Sequence, residues 1–315
     1  GHQAIIAASA GATTSQVSGY DAELLLSHAD MALSAAKQHT GNGMELFTPE
    51  MDRRLKDRQE MDAALRQALA QHQFTLAYQP QVDIVTGELT GAEALARWTH
   101  ATLGPMSPSA FIAAAEETGL IVELGRWALQ TACAEAANWP HEIKLAVNVS
   151  PVQFELSDVV ADVTAALESS GLEPSRLEIE ITEGIFVRDA EAMTQRLQDI
   201  RKLGVSIALD DFGTGYSSLS YLGQLPVDKI KIDKSFVRRL PGDSEAATII
   251  RAVVALGEGL GKRIIAEGIE TADQAWMLQI IGCTLAQGFY FGRPMNAVDF
   301  TERLTREPVR LAQSA

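Results

Sequence analysis

The sequence predicts an α/β fold, a modified TIM-type (β/α)8 barrel whose first strand runs antiparallel. From Phe74 onward, eight short apolar segments alternate with amphipathic helical ones, the pattern of a closed, mostly parallel sheet wrapped in helices. Gly171, Gly204, Gly261 and Gly282 each fall just past a helical segment and just before a strand, where a left-handed helix cap is needed. Only Asp83–Glu88 separates the first two strands, too short for a helical crossover, so they must pair antiparallel. A length of 315 residues holds such a barrel, of about 250 residues, plus a shorter leading segment.

The elements follow in order. Ile5–Ala8 predicts a short strand, followed by a polar Gly/Ser/Thr loop and a helix around Asp21–Gln38. Gly41-Asn42-Gly43 stops that helix, and Met44–Phe47 predicts a last strand. This leading piece has too little apolar area for a core of its own. From Pro49 to about Gln71 runs a charge-mixed connector helix, with Met51, Leu55, Met61, Leu65 and Leu69 near helical spacing. The barrel strands are expected at Phe74–Val82, Leu89–Trp98, Lys144–Ser150, Leu177–Glu183, Ser206–Asp211, Lys229–Asp233, Arg263–Ile269 and Leu285–Phe291. Helices are expected at Pro108–Glu117, Val122–Trp139, Val159–Glu168, Ala190–Leu203, Glu245–Leu260 and Ala272–Ile281. The chain therefore divides into a leading piece at 1–50, a linker helix at 51–72 and a barrel at 73–308.

Composition narrows the function. Lys and Arg number 26 against 41 Asp and Glu, a formal charge of −15, which argues against a protein whose affinity comes from neutralising duplex nucleic-acid phosphates. A small anionic ligand is compatible with that balance where something local, such as a carboxylate-held metal, supplies positive charge. Cys133 and Cys283 are too few and too distant for a disulfide framework or a Cys-based zinc site, and read as core thiols in a reducing cytoplasm. No apolar run approaches the ~20 residues of a membrane span, and no signal peptide opens the chain. Gly1-His2 in place of an initiator Met predicts a piece of a longer protein, whose upstream parts would supply any membrane tether.

Polar residues near the C-terminal ends of barrel strands are the informative ones, because strand interiors should be rich in Val, Ile and Leu. In order these are Glu93 and Arg97, Asn148, Glu180 and Glu183, Asp210 and Asp211, Lys231 and Asp233, Glu267 and Glu270, and Gln287. Seven consecutive strands contribute, which predicts a converging site. All six histidines and both cysteines lie elsewhere, which disfavours a His-based zinc or iron site and a Ser-His-Asp triad. Carboxylates with an Asn form a hard, all-oxygen donor set suited to Mg²⁺ or Mn²⁺. Adjacent acids such as Asp210-Asp211 can serve two ions, the arrangement that activates water for an in-line phosphoryl displacement. The residues alone thus predict a metal-dependent phosphate-ester hydrolase. Glu183, Asp233 and Glu270 fit caps or ion-pair partners as well as ligands, and Trp98, Trp127 and Trp139 fit core packing better than stacking platforms.

Glu93-Ala94-Leu95, within Gly91–Trp98, resembles the signature of EAL domains, the phosphodiesterases of the bacterial messenger cyclic di-GMP. The resemblance covers about Phe74 to Asn296. It extends, in family order, over Tyr78-Gln-Pro-Gln81, Asn148-Val-Ser150, Glu180-Ile-Thr-Glu183, Asp210–Tyr216, Lys229–Asp233, Ala266–Glu270 and Gln287-Gly-Phe289. It implies that Glu93, Asn148, Glu180 and Asp210 ligate one Mg²⁺ or Mn²⁺, with Asp210 bridging to a second held by Asp211 and Glu267. Lys231 would orient the attacking water, making Lys231, Glu267 and Glu93 the catalytic set. Gln79, Leu95, Arg97 and Gln287 would hold the substrate. Glu183 would steady the loop Phe212, Gly213, Thr214, Gly215 and Tyr216, on which metal binding and a homodimer depend. Ca²⁺ is expected to inhibit.

Ala22–Lys37 and Asn42–Phe47 resemble the last helix and strand of a GGDEF (diguanylate cyclase) domain, without its GTP-binding loop. Ser34 stands where that family usually carries an aromatic residue, and Gly184 follows the Glu180–Glu183 motif where a small hydroxyl residue is commoner. Two other readings compete with the phosphodiesterase. One is a non-hydrolysing cyclic-di-GMP receptor signalling to a partner domain. The other, open on composition and spacing alone, is an unrelated Mg²⁺ barrel enzyme acting on a phosphorylated metabolite.

Overall fold

The computed structural model describes residues 8–39, 43–140, 142–186, 189–213, 223 and 225–305, and the chain divides into two compact units, Gly1–Gln67 and Ala68–Ala315. In the first unit, β1 (Ser9–Ala12) pairs parallel with β2 (Gly43–Leu46), joined through α1 (Ser15–Ser18) and α2 (Ala22–His39). Of the strand expected over Ile5–Ala8, Ile5–Ala7 fall outside the described residues and Ala8 directly precedes β1. β1 itself is held by close packing. A Cβ on Gly11 would sit 2.0 Å from the Leu33 backbone nitrogen, so α2 lies on the strand where small residues let two backbones approach. His28 stacks on Phe47 with ring centroids 3.7 Å apart. α3 (Pro49–Ala70) follows, over the span expected for the connector helix.

The second unit opens with β3 (Phe74–Asp83), β4 (Leu89–His100) and the two-residue β5 (Gly104–Pro105), then α4 (Pro108–Thr118) and α5 (Ile121–Ala137). It continues through β6 (Lys144–Asn148), α6 (Pro151–Leu156), α7 (Val159–Ser170), β7 (Leu177–Thr182), α8 (Ala190–Lys202) and β8 (Ser206–Phe212). β9 (Lys229–Ile232), α9 (Lys234–Arg238), α10 (Ser244–Gly259), β10 (Arg263–Ala266), α11 (Ala272–Ile281), β11 (Leu285–Gln287) and α12 (Ala297–Leu304) complete it. The sheet order β3-β11-β10-β9-β8-β7-β6-β4 closes on itself through β3–β4 pairing, and β5 extends only β4. β3 runs antiparallel to both neighbours, as the Asp83–Glu88 connection requires, and the other barrel pairs are parallel. Gly171, Gly204, Gly261 and Gly282 all adopt positive φ.

Two strands end three or four residues sooner than the sequence suggests, β10 at Ala266 and β11 at Gln287, while β6, β7 and β9 stop one or two residues early. Gly268 has φ +70°, and a Cβ there would lie 2.4 Å from the Lys234 Cβ, so the chain leaves the sheet where only glycine passes.

The core is the layer between the outer face of the barrel and its helices. It takes alternate strand residues: Leu145 and Val147, Ile179 and Ile181, Ile207 and Leu209, Ile230 and Ile232. The residues between them point into the lumen, which is charged rather than filled with Val, Ile and Leu. β7 contributes Glu178 and Glu180, and β9 contributes Lys229 and Lys231, all fully buried. Lys229 Nζ meets Glu178 Oε1 at 2.5 Å, with Ala208 of β8 leaving room between the two strands. Removing one partner of such a pair strands a buried charge at a cost of about 3–5 kcal/mol, whereas an apolar replacement of both is nearly neutral. Lys229→Met and Glu178→Leu should therefore each lower the urea midpoint sharply, and the double variant should recover most of the loss. A double variant as unstable as the two losses combined would contradict this.

Candidate active site

Two residues along each strand from the Lys229–Glu178 pair, the same alternation builds the candidate site. Lys231 on β9 is 1% exposed and its Nζ lies 2.6 Å from Glu180 Oε2, 2.7 Å from Glu267 Oε1, 2.9 Å from Asp210 Oδ2 and 3.8 Å from Glu93 Oε1. Four acids from β4, β7, β8 and the end of β10 thus surround one ammonium. Asn148, closing β6, donates from Nδ2 to Glu93 Oε1 at 2.6 Å, and Gln287 on β11 donates to Glu93 Oε2. Gln287 Nε2 also reaches Gln79 Oε1 on β3 at 3.2 Å, and Gln79 donates to the Gly292 carbonyl.

The electrostatics follow from burial. Loss of water pushes the Glu180 carboxyl well above the usual carboxylate range; Lys231 pulls it down, and Glu93, Asp210 and Glu267 push it up. Burial likewise pushes Glu267 up to about 8. Burial also works against the charge of Glu93, but Lys231 and the two amide donors overcome it and hold that carboxyl below its ordinary value. Lys231 is the converse case: burial opposes its charge, and the four acids hold its pKa well above the ordinary lysine value. One ammonium does not satisfy this set. Oxygens of Glu93, Glu180 and Asp210 lie within 4.8 Å of one another, and Glu180 Oε1 is buried with no hydrogen-bond partner among the described residues. A carboxylate cluster with an orphaned oxygen fits a hard divalent cation.

Asp211 is the next-to-last residue of β8, at the register irregularity between Leu209 and Phe212, and has φ +54°, an uncommon conformation for a residue with a side chain. Its amide donates to Asp210 Oδ1 at 2.7 Å, and its own carboxyl, raised by burial and by Asp210, hydrogen-bonds with Asp233. This left-handed residue within the strand lets two successive acids serve one end of the barrel. Asp233 caps α9 through Ser235, and Glu270 lies 3.6 Å from Arg238, so both have structural partners. Glu183 Oε1 accepts the Gly213 amide at 3.0 Å beside buried Phe212; Thr214, Gly215 and Tyr216 fall outside the described residues. Leu95 and Arg97 lie half-buried along β4. Arg97 donates to the Ala96 carbonyl at 2.9 Å and lies within electrostatic range of Glu93.

Glu93, Asn148, Glu180, Asp210, Lys231, Glu267, Gln287 and Gln79 are therefore joined in one hydrogen-bonded and ion-paired network. The sequence reading passed over Glu178 and Lys229 beneath it, although Leu177-Glu-Ile-Glu-Ile181 and Lys229-Ile-Lys-Ile232 carry the signal. A charged residue on every second position of an otherwise apolar strand must face one side.

Comparison with known proteins agrees with this architecture. The family model of the EAL domain matches residues 62–294. The bifunctional diguanylate cyclase/cyclic di-GMP phosphodiesterase MucR of Pseudomonas aeruginosa is 41% identical over 300 residues, which is 94% of this chain and 44% of that protein. The oxygen sensor protein DosP of Escherichia coli is 40% identical over 283 residues, 89% of this chain and 35% of that protein. This chain spans less than half the length of these curated relatives. Among solved structures, the MucR phosphodiesterase in complex with cyclic di-GMP is 44% identical, covers 76% of this chain and 99% of its own, and superposes with a TM-score of 0.74. The FimX EAL domain from Pseudomonas aeruginosa bound to cyclic di-GMP is 28% identical, covers 75% and 96%, and has a TM-score of 0.68. Most of the sequence lies under that one family model and its barrel matches those of solved members, so the chain belongs to the EAL domain family.

Proposed function

We propose that this chain hydrolyses one phosphodiester of cyclic di-GMP to linear pGpG, using two Mg²⁺ or Mn²⁺ ions. The observation that carries the reading is the buried Glu93–Glu180–Asp210 cluster around Lys231, with its orphaned Glu180 oxygen, in a chain whose relatives are named for this chemistry. Glu93, Asn148, Glu180 and Asp210 would hold one ion, and Asp210, Asp211 and Glu267 the other. When bound, the ions supply a nucleophile at neutral pH and neutralise the charge that grows on the phosphate. Gln79, Leu95 and Arg97 bind and orient the dinucleotide. Lys231, held cationic by its acids, offers its N–H groups to the attacking water and to the phosphate oxygens. A water oxygen bonds to phosphorus, the P–O3′ bond breaks, and the leaving 3′ oxygen takes a proton, which leaves the 5′ phosphate of pGpG. Residues 1–50 are read as the tail of a GGDEF-like domain, 51–72 as a linker and 73–308 as the phosphodiesterase barrel, which works as a homodimer in the bacterial cytoplasm.

The test is chromatographic. The purified chain is incubated with cyclic di-GMP in Mg²⁺, Mn²⁺, Ca²⁺ or EDTA, and pGpG is followed. Product with Mg²⁺ or Mn²⁺, little with Ca²⁺ and none with EDTA is the expected pattern, because the larger, looser Ca²⁺ shell misplaces the water. Binding without product would favour the receptor reading, and neither binding nor product would overturn the substrate.

A further inference from the structure

We propose that Gln81 is a positioning residue of this site: its amide fixes which way round Gln287 sits, and so keeps a donor rather than an acceptor against Glu93. The inference rests on the divalent-cation reading of the Glu93 cluster and goes one residue beyond it.

Gln287 has two chemically opposite ends. Its Nε2 donates to Glu93 Oε2 and to Gln79 Oε1, which leaves its Oε1 facing the other way. There Gln81 Nε2 donates to it at 3.0 Å. A reversed Gln287 would set its carbonyl oxygen against the Glu93 carboxylate and its NH₂ against the NH₂ of Gln81, two repulsive contacts at once. The orientation is locked from both sides only while Gln81 supplies a donor. Both side chains are buried, at 1% and 4% exposure, so water does not readily take the place of a missing partner.

The backbone is arranged for this contact. Gln81 sits in register with Gln287 on β11 and with Gly91 on β4, beside an irregularity in the β3–β4 pairing at Gln81/Val82. A Cβ at position 91 would lie 3.1 Å from Gln81 Oε1, so the bare glycine leaves the space that the amide fills. Gln81 makes no hydrogen bond to any of the four acids around Lys231 among the described residues; it acts on Glu93 through Gln287. Partners in this outer position typically change metal affinity or activity by 10–100-fold when removed.

The experiment uses the full chain with Gln81→Met, which keeps volume and removes the donor, and Gln81→Glu, which keeps shape and places an acceptor there. Mn²⁺ affinity is measured by calorimetry, the metal-free unfolding midpoint by circular dichroism, and kcat and KM with cyclic di-GMP. Gln81→Met should weaken Mn²⁺ binding about tenfold and lower kcat more than it raises KM, and Gln81→Glu should weaken binding further. A purely structural glutamine would move the midpoint alone. Unchanged Mn²⁺ affinity and kcat in either folded variant would overturn the proposal. A parent chain that binds Mn²⁺ without turning over cyclic di-GMP would sink the substrate while the titrations still decide Gln81. A parent that binds no Mn²⁺ would overturn both.

Discussion

Asp210→Ala is expected to abolish turnover of cyclic di-GMP, by at least about a thousandfold, while the far-UV spectrum stays native. Asp210 joins the three-carboxylate cluster, pairs with Lys231 and accepts the Asp211 amide. Losing metal assistance worth several kcal/mol of transition-state stabilisation gives a rate loss of this order. The stability effect should have the opposite character. Metal-free, the acids repel one another in a buried site, so deleting one relieves repulsion, and the midpoint in EDTA should hold or rise. What should vanish is the increase in midpoint that Mg²⁺ gives the parent, because a ligand stabilises only a fold that binds it. Glu93→Ala should behave alike. Retained turnover in both variants would remove the two-ion assignment.

Lys231→Met should produce the reverse pattern in EDTA. Among the described residues Lys231 alone ion-pairs with these acids, and it touches Glu180, Asp210 and Glu267 within 2.9 Å. Removing a buried counter-charge costs about 3–5 kcal/mol, so the metal-free variant should unfold many degrees below the parent. Mg²⁺ should restore much of that loss by supplying positive charge to the same oxygens. With Mg²⁺ present, kcat should fall far more than KM rises, because the ammonium acts on charge that develops in the transition state. A change confined to KM would reassign Lys231 to substrate binding. A metal-free midpoint equal to the parent's would show that the acids do not need its charge.

Much of the barrel was legible because its signals are local. The short Asp83–Glu88 connection forced the antiparallel first strand, and glycines at 171, 204, 261 and 282 marked the helix ends. The convergence of Glu93, Asn148, Glu180, Asp210, Lys231, Glu267 and Gln287 was legible because strand ends in a barrel must meet. Three features were less so. The early end of β10 depends on how closely Gly268 approaches Lys234, a contact between distant segments. The place of β1 depends on the α2 backbone lying against Gly11, which hydrophobic patterning does not encode. Glu178 and Lys229 went unread because a barrel lumen was expected to be aliphatic, a general tendency that outweighed the alternation in these two strands.

That alternation has a consequence for how the protein can vary. On β7 and β9, one set of alternate positions holds the shell together and the other carries charge, with nothing spare between them. Deleting a single residue from either strand would swing the isoleucines into the lumen and the acids or lysines into the oily layer beneath the helices. Folding and chemistry would be lost in the same step. Change in these strands is therefore confined to substitution, one parity at a time, while length variation belongs to the connections between them. A library that randomises only the lumen-facing parity of β7 and β9 would sample chemistry while the outer parity kept the shell.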